Sequence, residues 1–92
     1  PENLLICKVA GLSMIEASID DGDTLLADKT SQARNGDIII VSVNGELFVK
    51  RLKVEEERRW LISENRNYPP AEIKNEMNVK IFGVVKKILK DV

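Results

Sequence analysis

The sequence predicts a mainly β domain, and three observations carry that prediction. Apolar and β-branched runs of strand length recur along the chain, at residues 4–9, 38–43 and 79–89. Asn44-Gly45 separates two such runs, and this pair favours a type I′ hairpin because both central residues need positive φ. The remaining connections are too short for the crossover helices that parallel strands require.

Each element follows from local chemistry. Residues 4–9 read as a first strand. Met14-Ile15-Glu16-Ala17 suits one helical turn. Asp20-Asp21-Gly22-Asp23 is a turn, followed by a short strand over 24–27. Residues 38–43 and 46–54 form the hairpin. The charged run 55–59 is expected to be a turn, and 60–63 a strand. Two prolines keep 65–70 in a loop. Ala71-Glu72-Ile73 suits a short edge strand. Residues 79–89 read as a long final strand with a bend or bulge at Gly83, and 84–90 would also suit a helix.

Ninety-two residues with 43% hydrophobic content make one domain with one core, spanning 1–92. Charged residues are 32% of the chain and the net charge is −1. This near-neutral balance argues against direct DNA binding by the domain. One cysteine, Cys7, and no histidine exclude a disulfide staple and the usual metal sites, so no metal or cofactor is expected. Cys7 is expected to be a buried thiol in a reducing cytosol. No membrane span or signal peptide is visible. The chain begins at Pro1 rather than Met, and is therefore expected to be a fragment.

Without histidine, serine chemistry would need another base, and a Ser–Lys pair is the remaining option. The Asn44-Gly45 turn fixes a register that pairs Val43 with Glu46, Val41 with Phe48 and Ile39 with Lys50. Phe48, Lys50 and Leu52 then share a face. Desolvation on such a face lowers a lysine's pKa toward that of a general base. The plainer alternative has the Lys50 stem lying on apolar surface with its head in water. Ser13, after Gly11-Leu12 and before a helical turn, has its own plainer alternative as an N-cap.

The two boxes are part of a longer series. Gly11-Leu12-Ser13-Met14, Ile19-Asp20-Asp21-Gly22-Asp23, Asn35-Gly36-Asp37-Ile38, Val49-Lys50-Arg51-Leu52, Glu64-Asn65, Tyr68-Pro69-Pro70 and Phe82-Gly83-Val84-Val85 follow in that order. This series resembles the self-cleaving serine peptidase domain shared by LexA, UmuD and lambdoid phage repressors, over nearly the whole chain. Met14-Ile15 and the Phe82–Val85 ending look most like UmuD, an accessory subunit of an error-prone, translesion DNA polymerase.

The resemblance implies a compact fold of strongly bent antiparallel β-sheets, used as a homodimer in the cytoplasm. It makes Ser13 the nucleophile, Lys50 the general base, and the Leu12 and Ser13 backbone amides the oxyanion site. It implies self-cleavage in the SOS response, stimulated by a RecA filament on single-stranded DNA, with a polymerase subunit as partner if the chain is UmuD-like. The alternatives are the C-terminal domain of a LexA-like or phage repressor, and a non-catalytic dimerisation module of the same fold.

Two departures accompany the resemblance. The family carries threonine where Phe48 stands, on the same face as the lysine. The family also cuts itself at an Ala-Gly or Cys-Gly bond, but Ala10-Gly11 lies too close to Ser13 to fold back into the site. The scissile bond is expected upstream of Pro1, which would make this fragment a product-like core able to cut only in trans. Two further features have plain readings. The acidic run 20–23 lacks the spaced ligands of a calcium loop, and Lys86, Lys87 and Lys90 read as a solvated face.

Overall fold

A computed structural model describes residues 2–91. Its strands are β1 (Leu4–Lys8), β2 (Thr24–Asp28), β3 (Ile38–Val43), β4 (Glu46–Glu55), β5 (Arg58–Ile62), β6 (Ala71–Glu72) and β7 (Val79–Leu89), with a single 3-10 turn at Ile15–Ala17. They form one seven-stranded sheet in the order β1-β2-β7-β3-β4-β5-β6. Every pairing is antiparallel. The fold is thus the mainly β, antiparallel one that the sequence predicts.

β3 lies at the centre and is buried on both faces, which explains its unbroken apolar run. Alternate residues feed two cores. Ile39 and Val41 join Leu52, Leu61 and Val84 in one, with Phe48 packed against it. Ile38 packs against the other, formed by Val9, Met14, Ile19 and Leu25. The division also runs through β4, where Leu52 belongs to the first core and Val49 packs on the second.

The β3–β4 hairpin has the expected register, with Val43 opposite Glu46, Val41 opposite Phe48 and Ile39 opposite Lys50. Asn44 and Gly45 take φ of 50° and 89°. Two expectations need correction. The turn expected over 55–59 is only two residues long: Glu56 takes φ 55° and β5 already begins at Arg58. The helical option for residues 84–90 fails, because β2 pairs with β7 as far as Thr24 opposite Leu89.

β7 carries two bulges. Its register slips against β3 between Gly83 and Ile81, and against β2 between Lys87 and Val85. Such insertions bend and twist a long strand. Gly83 lies beside the first, and there a side chain would be crowded: an added Cβ would sit 3.1 Å from Ala27 Cβ and 3.2 Å from the Asp28 carbonyl oxygen, so β2 would have to give way by a few tenths of an ångström. Gly83→Val is therefore expected to destabilise the domain by about 1–3 kcal/mol. A denaturant midpoint equal to wild type would show that β2 and β7 separate without cost.

Candidate functional site

Ser13 sits in the loop between β1 and the 3-10 turn. Gly11, at φ 95°, reverses the chain there, and its amide donates to Asp21 Oδ1 at 2.7 Å. The Val9 amide donates to the Asp23 carbonyl, and the Gly22 amide to the Val9 carbonyl, both at 2.8 Å. The Asp20 and Asp23 carboxylates accept from Lys90. The acidic run therefore forms a turn that braces the serine loop. Lys86 and Lys87 are exposed, as a solvated face requires.

Ser13 is half-buried and does not act as an N-cap. Met14 occupies the cap position, with no side-chain hydrogen bond. Met14 itself is fully buried and anchors the loop in the second core. Among the described residues, the Leu12 and Ser13 amides donate to no protein acceptor.

Lys50 is half-buried on β4, and its head does not simply reach into water. Its Nζ lies 5.4 Å from the centroid of the Phe48 ring and 5.7 Å from that of Tyr68. It donates to Ser63 Oγ at 2.6 Å. Burial holds the Lys50 amine below the ordinary lysine value of 10.5.

No hydrogen bond joins Ser13 to Lys50 among the described residues. They line adjacent cavities of about 170 and 260 Å³, and Phe48 lines both. β4 contributes residues to both cavities, Leu47, Phe48 and Val49 to the first and Phe48 and Lys50 to the second. β5 pairs with β4 only from Arg51 to Glu55. Residues 46–50 therefore have no β5 partner, and this half of β4 keeps an open edge.

Beyond that last pair the chain leaves the sheet and turns to the serine loop. Ser63 holds Lys50. The Glu64 carbonyl accepts from the Glu16 amide at 2.7 Å, and the Glu64 amide donates to Met14 Sδ at 3.3 Å. Asn65, only 6% exposed, donates through Nδ2 to the Leu12 carbonyl at 2.9 Å. Arg51 Nε and Glu64 Oε1 form an ion pair at 3.0 Å. Three consecutive residues thus touch both Lys50 and the Ser13 loop.

A family model described as "Peptidase S24-like" matches residues 1–86. The chain belongs to the peptidase S24-like family.

Similar proteins named LexA repressor agree with that membership. This S24-like chain is 40% identical over 73 residues to the one from Ectopseudomonas mendocina, covering 79% of the chain and 36% of the repressor. It is 36% identical over 86 residues to that of Clostridium acetobutylicum, covering 92% and 42%. It is 45% identical over 67 residues to that of Streptomyces coelicolor, covering 73% and 29%. The chain thus spans less than half the length of these relatives.

Three side chains of the S24-like site escaped the sequence reading. Ser63, Glu64 and Asn65 had no assigned role, although Glu64-Asn65 belongs to the resemblance. Cys7 needs a small correction: it is half-buried rather than buried, although burial still pushes its thiol pKa up. No helix among the described residues is long and apolar enough to cross a membrane.

Proposed function

We propose that this chain is a Ser–Lys self-cleaving peptidase and dimerisation domain, spanning 1–92, of a LexA-type repressor in the SOS response. The observation that carries the reading is the amine of Lys50, held 5.4 Å from the Phe48 ring centroid in a largely apolar cavity, while Phe48 also lines the cavity that Ser13 lines. The names of the relatives support the repressor reading. The UmuD-like polymerase-subunit reading draws no support from them and rests on Met14-Ile15 and the Phe82–Val85 ending.

The chemistry follows from these groups. Neutral Lys50 takes the proton of Ser13 Oγ. The resulting alkoxide attacks the carbonyl carbon of the scissile peptide bond, and the Leu12 and Ser13 amides receive the oxyanion. The Lys50 ammonium then protonates the leaving nitrogen as the C–N bond breaks, and water releases the acyl group from Ser13. Hydrogen bonds of this kind are often long before the substrate is bound and tighten only in the complex. A homodimer working in the cytoplasm, with a RecA filament as stimulator and no direct DNA contact by this domain, completes the proposal.

The pH dependence tests it. The active form of Lys50 is the neutral amine, and its folded pKa lies below 10.5. Self-cleavage of the full-length gene product should therefore rise with pH from neutrality through that pKa and then level off. The fold loses nothing from Lys50 over this range. A lysine with a depressed folded pKa destabilises the native state at low pH, and that penalty is relieved as pH rises. A rate that is flat or falling across this range would exclude Lys50 as the base. No cleavage at alkaline pH, even with a RecA filament, would leave the dimerisation module.

A further inference from the structure

We propose that Ser63 is a positioning residue for Lys50: its hydroxyl oxygen accepts from the ε-amine and so fixes where the amine's lone pair points. The inference rests on the Ser–Lys reading above and adds a third member to the pair.

The contact is short, 2.6 Å between Lys50 Nζ and Ser63 Oγ. It is also the single hydrogen bond of that amine among the described residues. The β4 face around Lys50 offers only Phe48 and Leu52, which carry no acceptor oxygen. Across the cavity stand Tyr68 and Pro69 from the 65–70 loop, with Leu61, Ala71 and Met77. Among the described residues, the Tyr68 phenol is the only other titratable group lining it, and no carboxylate does. The charged neighbours of Lys50 and Ser63 in the chain, Arg51 and Glu64, are paired with each other. Lys50 therefore has one polar partner in an otherwise apolar surround.

Register explains why that partner is Ser63. Arg51 opposite Ile62 is the last pair of the β4–β5 ladder. Lys50 and Ser63 each lie one residue beyond that pair, so the chain delivers Ser63 beside Lys50 just as it leaves the sheet, and the hydrogen bond joins them there. Ser63 is also held firmly, because the next two residues are fastened to the serine loop.

A neutral amine has two N–H donors and one lone pair. With one N–H held by Ser63 and aromatic rings on two sides, the lone pair is left with few directions. Without Ser63, the four-carbon stem regains its freedom. The hydroxyl oxygen also favours the ammonium over the neutral amine, because a hydrogen bond to a charged group is the stronger one.

Self-cleavage of the full-length gene product, measured against pH for wild type, Ser63→Ala, Ser63→Thr and Lys50→Ala, tests this. Ser63→Ala should lower the alkaline plateau about tenfold to a hundredfold. It should also move the midpoint of the profile down by about one pH unit. Ser63→Thr keeps the hydroxyl and should restore both. A lowered plateau with an unmoved midpoint would reduce Ser63 to a structural residue and overturn the inference, as would a wild-type profile for Ser63→Ala.

The NMR titration of ¹³Cε-labelled Lys50 reads the same midpoint without needing cleavage. If Lys50→Ala still cleaves, or wild type does not, the Ser–Lys reading falls on its own. The titration then decides Ser63's hold on Lys50: a lower midpoint in Ser63→Ala supports it and an unchanged one overturns it.

Discussion

Lys50→Ala is expected to stop self-cleavage of the full-length gene product, with a loss of at least about a thousandfold. Ser13→Ala should do the same, and the double variant should be no worse than either single one. Groups that act as one unit fail together, so their losses do not add. Lys50→Arg should also be inactive. It keeps the positive charge, but a guanidinium with a pKa above about 12 gives up no proton near neutrality. Stability separates this outcome from simple unfolding. Lys50 is half-buried with a depressed pKa, so its removal takes away a desolvated charge and should leave the denaturant midpoint close to wild type. Cleavage by Lys50→Ala or Ser13→Ala at a wild-type rate, read on a gel over hours, would sink the dyad.

The second large effect is on the fold. Ile39→Ala should destabilise the domain by about 2–5 kcal/mol. Ile39 is fully buried and stands between Lys50 on β4 and Val84 on β7. Removing three carbons there opens a cavity where three strands meet, and the ladders on both sides limit how far it can collapse. Against a total of about 5–15 kcal/mol for an ordinary domain, that is a large fraction. Ile39→Val should cost only about 0.5–1.5 kcal/mol. Urea unfolding of the pair gives both numbers, and an alanine variant within 1 kcal/mol of wild type, roughly the valine cost, would mean that β3 is not the central support.

The two hairpins show what the sequence made legible and what it hid. Asn44-Gly45 declares its turn, and a two-residue turn leaves one register, so the pairing of Ile39 with Lys50 could be read directly. The second hairpin has no such declaration. Glu56 and Glu57 make its turn, and Glu56 takes positive φ without the glycine or asparagine that usually marks it. The charged run therefore read as one long connection, and the register that brings Ser63 to Lys50 stayed out of sight. The end of β7 was hidden for a different reason. Residues 84–90 suit either a helix or a strand locally, and only pairing with β2, some 60 residues earlier, decides between them. Ser13 and Lys50 were visible as two boxes. The half-open edge of β4 depends on β5 being five residues against ten, a match of lengths that no local signal encodes.

The run Ser63-Glu64-Asn65 has a consequence for how the site can change. Lys50 and the Ser13 loop come from different parts of the chain, and this run ties to both. A displacement of that run would strain its hydrogen bonds to Lys50 and to the Ser13 loop together. The same linkage removes independence. A substitution in the run is felt at both ends at once, and its energetic effect will couple with changes at Met14, Glu16 or Lys50 rather than add to them. Variation in this domain is therefore constrained less by any one of the three residues than by the need for all three to move as one piece.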